Sequence, residues 1–219
     1  MTTTRAQSRA ETTARILASA RRQIAEKGAG ALSMRAVARD VDMVSSAVFR
    51  YFPTKEALLT EMILESYGHL ADAIEAAMDG RRGAEGWRRG ALALRAWAMS
   101  VPHEFQLIYG TPIPGYKAPR ETIPAAVRVV QPFIDIAREA TRPLPDDLAE
   151  DLTAEGGLAA DEAAALAVTL AELSQIVGFL TLELGGHLVG GVGDTERFFA
   201  HLVERQVAGL WLDGSHART

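Results

Sequence analysis

An all-α fold in two parts is what this sequence predicts, on three observations. No stretch sustains an apolar-polar alternation rich in β-branched residues, so no strand is expected. Apolar residues instead recur three and four positions apart along much of the chain. Glycine and proline gather at a few separated places and punctuate the chain into helices.

The first helix is expected over 9–27. Ile16, Leu17, Ala20 and Ile24 share one face, Arg15, Arg21 and Arg22 lie elsewhere, and KGAGA ends it with Gly28 as C-cap. Ser33 caps a short second helix whose inner face is Met34, Val37, Ala38 and Val41. Asp40 and Asp42 mark a turn. A short third helix covers 45–51 and stops before Pro53, because the residue preceding a proline disfavours the helical region. Thr54 is the N-cap of a long helix over 55–78, with Glu56 favourable in its first turn. DGRRGAEG (79–86) breaks the chain. Helices follow near 86–100 and 103–109, then an irregular loop, GTPIPGYKAPRE (110–121), and a helix over 122–141. A segment rich in Pro, Asp and Gly covers 142–160, and two long apolar helices close the chain over 161–185 and 194–212. The domain boundary is expected at 54/55, with 55–78 as a linker helix.

At 219 residues and 48% hydrophobic content, the chain has enough apolar material for a sizeable core. The absence of cysteine excludes disulfides, thiolate metal sites and cysteine nucleophiles. The N-terminus, MTTTRAQSRAETTARIL, lacks an apolar stretch of signal-peptide length, so no secretion signal is expected. AAALAVTLAELSQIVGFLTLEL (163–184) has the length of a membrane span but carries Glu172, Gln175 and Glu183, so it is expected as a buried helix. Net charge is −5, unevenly spread: residues 1–60 hold ten Lys and Arg against five Asp and Glu. A basic head on an acidic body suggests that the head alone meets a polyanion.

The first three helices have a helix-turn-helix layout. Val37, Ala38 and Val41 can pack against Val48 and Phe49, which leaves Ser45, Ser46, Arg50 and Tyr51 free to face a groove or phosphates. Small residues at Ser45, Ser46 and Ala47 let a helix lie close to base edges. Arg50 suits guanine or a phosphate, while Tyr51 and Lys55 lie where contacts position rather than specify.

LSMRAVARDVDMVSSAVFRYFPTKEALL (32–59) resembles the DNA-binding domain of the TetR/AcrR family of bacterial transcriptional regulators. The similarity extends from about Ile16 to Leu64 and is most specific at FRYFPTKEAL. The resemblance implies a cytoplasmic homodimer that binds a palindromic duplex operator, usually as a repressor, and releases it when a small molecule enters a C-terminal helical ligand-binding and dimerisation domain. It implies phosphate or groove contacts from Ser33 and Arg35, groove contacts from Ser45, Ser46, Ala47 and Arg50, and phosphate contacts from Tyr51 and Lys55. Two positions depart from the family pattern. Asp42 stands where glycine is usual, and aspartate tolerates a left-handed conformation better than most residues. Val44 stands where Ser or Thr usually caps the reading helix, so Ser45 is expected to take the cap and shift the helix start by one.

RAWAMSVPHEFQLIYGTPIPGYKAP (95–119) resembles an effector-domain subtype of the same family, marked by Trp97, His103 and Gly110. The expected ligand-pocket residues are Tyr67, Trp97, His103, Phe105, Tyr109, Tyr116 and Phe179, although aromatics at helical spacing also serve as plain core. The last two helices carry wide apolar faces that fit an intersubunit four-helix bundle, with Leu173, Val177, Leu180, Phe199, Leu202, Gln206 and Leu210 as the expected dimer contacts.

Other features read as structural. Arg81, Arg82, Arg88 and Arg89 suit a solvated face or salt bridges between helices, and Trp87 suits a surface anchor. The histidines (69, 103, 187, 201 and 216) are scattered, and the acidic group at Asp146, Asp147, Glu150 and Asp151 lacks the glycine of a calcium loop. No metal or cofactor is expected. Neither a nucleophile elbow, a phosphate loop nor a dinucleotide fingerprint is present, so an enzyme is not expected. The rival reading is a helical small-molecule carrier or enzyme with a basic cap and no specific DNA binding.

Overall fold

A computed structural model describes residues 4–139, 159–210 and 212. The acidic group at 146–151, the end of the helix expected to reach 141, and Trp211 lie outside the described residues. The described residues form nine α-helices and contain no strand. These are α1 (Arg5–Lys27), α2 (Met34–Asp40), α3 (Ser45–Val48), α4 (Lys55–Met78), α5 (Gly83–Ser100), α6 (Pro102–Tyr109), α7 (Ile123–Ala137), α8 (Ala160–Leu184) and α9 (Thr195–Gly209).

The chain groups into two compact units. One comprises Met1–Tyr67 and Val101–Ala125, the other Gly68–Ser100 and Ala126–Thr219. The boundary expected at 54/55 therefore falls inside the first unit.

In the first unit α1 begins at Arg5, four residues before the expected start. Thr4 and Gln7 form a reciprocal capping box: the Gln7 amide donates to Thr4 Oγ1 (3.3 Å), and the Thr4 amide donates to Gln7 Oε1 (2.9 Å). Ile16, Leu17, Ala20 and Ile24 of α1 pack with Val37, Ala38, Val41, Val48, Phe52, Leu58, Leu59 and Met62. Leu107 of α6 joins the same core, and Ile113 and Tyr116 of the following loop pack against it. Arg21 ties three helices together. Its guanidinium pairs with Glu65 of α4 and lies 3.5 Å from the nearly buried Glu104 of α6.

The second unit centres on Trp87, which is fully buried rather than the expected surface anchor. Its indole Nε1 donates to Gln206 Oε1 (3.1 Å), and Gln206 Nε2 donates to the Glu172 carbonyl (2.8 Å). One glutamine side chain thus joins α5, α8 and α9. Phe133 of α7 meets the Trp87 ring edge-to-face at 5.1 Å. Of the four arginines expected on a solvated face or in salt bridges, Arg88 joins α5 to α9 through Glu204 at 2.8 Å, Arg89 pairs with Glu85 of its own helix at 2.6 Å, and Arg82 pairs with Glu139 at 3.6 Å just outside the helices; Arg95, not among them, joins α5 to α8 through Glu183 at 2.6 Å. By length and composition α8 could cross a membrane, and half of its apolar window is buried inside this structure.

Candidate nucleic-acid interface

The turn between α2 and α3 decides how α3 is presented. Asp42 takes the left-handed conformation at φ 56. The Met43 amide donates to the Ala38 carbonyl (2.9 Å) and the Asp42 amide to the Arg39 carbonyl (3.2 Å). This is a complete Schellman arrangement, with aspartate at the position glycine favours. Arg15 Nη2 donates to the Val41 carbonyl (2.8 Å) and fastens the turn to α1. Asp42→Ala is expected to cost about 1 kcal/mol, because alanine enters the left-handed region less readily than aspartate does. Asp42→Gly should lose nothing. Urea unfolding of the two variants checks the pair, and equal midpoints would refute it.

Helix α3 is a single turn, and residues 49–51 continue as turns rather than as the expected helix. Val44 is the N-cap and makes no side-chain cap bond, so Ser45 does not take over that role. This geometry sorts the expected groove residues. Ser46 and Arg50 are exposed and Ser45 is half-buried. Ala47 is buried beside Val48, so it faces the core and not a groove. Phe49 reverses in the opposite sense, being 43% exposed where core packing against Val37 was expected. Past the last helical residue, helical periodicity no longer dictates which way a side chain points.

Ser33 caps α2, its Oγ accepting from the Ala36 amide (3.4 Å). Lys55 Nζ donates to the Gly30 carbonyl (3.1 Å), and Tyr51 is half-buried with the Arg9 guanidinium 5.1 Å from its ring centre. The basic side chains divide into two sets. Arg15, Arg21 and Arg22 are engaged within the unit, Arg22 with Asp40. Arg35, Arg39 and Arg50 are exposed and make no ion pair among the described residues. Arg35 and Arg39 stand four apart on one face of α2. Arg39 and Arg9 were not expected here; the four-residue spacing from Arg35 to Arg39 is visible in the sequence.

The expected pocket residues fall in both units. Tyr67, Phe105 and Tyr109 are brought together in the first: Tyr67 meets Tyr109 edge-to-face at 6.4 Å, and Phe105 lies 5.3 Å from Tyr109. Tyr116 OH lies 3.0 Å from Thr60 Oγ1, and His103 is half-buried in the first turn of α6. Burial, and then the neighbouring Tyr67 phenol, push the Tyr109 hydroxyl above the ordinary tyrosine range. Burial and then Tyr116 do the same to Tyr67. Trp97 and Phe179 belong to the second unit, where Phe179 stacks on Phe198 at 5.7 Å. Among the described residues, no three His, Asp or Glu side chains gather as a metal site.

Most of the expected dimer contacts are consumed inside the chain. Leu173, Leu180, Phe199, Gln206 and Leu210 are buried by their own unit, while Val177 and Leu202 are half-buried. The uncovered face of α8 carries Leu170, Ser174, Gly178, Thr181 and Leu182, and α9 exposes Phe198. Ser174 and Thr181 donate to the carbonyls of Leu170 (2.6 Å) and Val177 (2.8 Å), so this face asks for no polar partner.

Comparison with known proteins places these features in one family. A profile for bacterial regulatory proteins of the tetR family matches residues 16–62. A second profile, described as Tetracyclin repressor-like, C-terminal domain, matches residues 87–206, more than half of the chain. The HTH-type transcriptional regulators Rv1816 of Mycobacterium tuberculosis and Mb1846 of Mycobacterium bovis are each 40% identical over 136 residues. That alignment covers 60% of this chain and 58% of the relatives' length. The structure of a candidate regulatory protein, SCO4313, is 32% identical and superposes with a TM-score of 0.81 over 94% of this chain and 100% of that one. The TetR family transcriptional regulator PfmR of Thermus thermophilus, 20% identical over 88% of this chain and 97% of its own, shares the fold at a TM-score of 0.57. This chain belongs to the tetR family of bacterial regulatory proteins.

Proposed function

We propose that the chain is a ligand-responsive transcriptional repressor of the cytoplasm, binding a palindromic duplex operator as a homodimer and released by a small molecule. The observation that carries this reading is the set of exposed arginines, Arg35, Arg39 and Arg50, unpaired among the described residues, around a one-turn α3 fixed by the Asp42 turn. Cations without a protein partner are what a phosphate backbone rewards. Ser33, Arg35, Tyr51 and Lys55 would position the head, and Ser45, Ser46 and Arg50 would face the major groove. Two heads of a dimer would meet half-sites about 34–36 Å apart, one turn of DNA. The open α8 face of Leu170, Gly178 and Leu182 supports a packed pairing with a second copy. The Tyr67, Phe105, Tyr109 and Tyr116 group supports an aromatic-lined effector site. Such an effector acts only as far as it binds the released state better, a 100-fold preference being worth about 2.7 kcal/mol.

The test is binding to the DNA upstream of the chain's own gene at two salt concentrations, with random duplex as competitor. Binding that resists the competitor and weakens with salt is the expected result. Binding that the competitor abolishes favours the carrier reading. Leu182→Arg should shift the sedimentation equilibrium towards monomer and weaken operator binding. An unchanged dimer would remove α8 from the interface.

A further inference from the structure

We propose that Val44 and Phe49 read the C5-methyl groups of thymines, so that each half-site carries thymine beneath these two side chains. The proposal rests on the duplex-binding reading above and deepens it. Among the described residues from 4 to 67, Val44 (70% exposed) and Phe49 (43% exposed) are the two large hydrophobic side chains left substantially in water. They stand immediately before and immediately after α3. Neither local stability nor core packing accounts for the valine. As N-cap it offers no side-chain acceptor, and it buries little of its surface.

The stretch from Met43 to Tyr51, MVSSAVFRY, contains no Asn, Gln, Asp or Glu, the side chains that pair with adenine or accept from cytosine. What it presents is two serine hydroxyls, the half-buried Tyr51 phenol, one guanidinium and two exposed apolar groups. In the major groove, the base-edge group that rewards an apolar contact is the thymine methyl. The surroundings choose the occupant. Arg35, Arg39 and Arg50 are exposed on the same unit and unpaired among the described residues, which favours a polyanion over an apolar protein surface.

The experiment begins with the full chain and a random-sequence duplex library, from which bound duplexes are selected against bulk competitor. Each thymine of a selected duplex is then replaced singly by deoxyuridine, which keeps every hydrogen-bonding group and removes only the methyl. Affinity is read by fluorescence anisotropy for the natural chain, Val44→Ala and Phe49→Ala. A contacted methyl should weaken binding about fourfold when removed, from the transfer energy of one buried carbon. That penalty should vanish in one or other variant at its own position, as a double-mutant cycle requires. Both positions are exposed, and retained salt-dependent binding to random duplex shows that a variant head is folded. A selected duplex indifferent to uracil at every position, or a penalty that persists in both variants, overturns the methyl reading alone. A library that yields no sequence preferred over bulk overturns duplex recognition and this inference with it.

Discussion

Trp87→Ala should destabilise the protein by about 4 kcal/mol, the cost of deleting a fully buried large aromatic whose surroundings relax only in part. Two losses combine. The ring packs edge-to-face on Phe133, and its indole supplies the donor for Gln206 Oε1. Trp87→Phe separates them, since it keeps much of the volume and removes the donor. It should cost about 2 kcal/mol, chiefly the penalty of a buried acceptor left unpaired. Urea unfolding followed by far-UV circular dichroism reads both. A loss below about 1 kcal/mol for the alanine variant would mean that α5 does not pack as described.

The Arg95–Glu183 pair yields the second large effect. Both side chains are well shielded, at 16% and 6% exposure, and the contact is bidentate at 3.0 and 2.6 Å. Arg95→Met should cost about 3 kcal/mol, because it leaves a carboxylate buried without its cation. Replacing both, Arg95→Met with Glu183→Leu, should recover most of that loss, since two apolar side chains avoid the desolvation that the pair must offset. The pair also predicts a pH dependence. Burial raises the Glu183 pKa, but the Arg95 guanidinium and then the Thr195 hydroxyl outweigh it, and the net shift is downward. A depressed carboxylate contributes stability that is full above its unfolded value of about 4.3 and is lost as pH falls through the lower folded value. Acid unfolding of the natural chain should show this loss, and the double variant should show less of it. Superimposable acid titrations would refute the assignment.

Much of the first unit was legible because its signals are local. Ser33 and Thr54 cap the helices expected of them, and the Thr54 hydroxyl accepts from the Ala57 amide. Asp42 adopts the left-handed turn that its side chain tolerates. The Thr4–Gln7 box is an equally local signal and opens α1 four residues ahead of the expected start. What could not be read is which of two apolar faces a neighbour covers. Phe198 and Phe199 are adjacent and chemically identical, yet one is exposed and the other fully buried. Periodicity marks α8 and α9 as apolar helices, but the crossing of α5 decides which of their residues become core. Leu180 and Gln206, expected at the dimer surface, are buried within the chain. Ala47 and Phe49 exchanged roles for a related reason: a one-turn helix is too short for its period to fix the direction of the residues beyond it.

The inclusion of 101–125 in the first unit bears on attempts to build hybrid regulators. Leu107 completes the core beneath α1 and α4, and Tyr116 is hydrogen-bonded to Thr60. A graft that moves only the first 60 or so residues onto a relative's body would carry the reading surface without the segment that seals it. Such a chimera should express as a destabilised protein, with a lower urea midpoint than either parent. A transplant that respects the unit needs three junctions, near 67, 100 and 125, and the donor and recipient must agree at all of them. The first unit of this chain is thus less portable than the short length of its helix-turn-helix suggests.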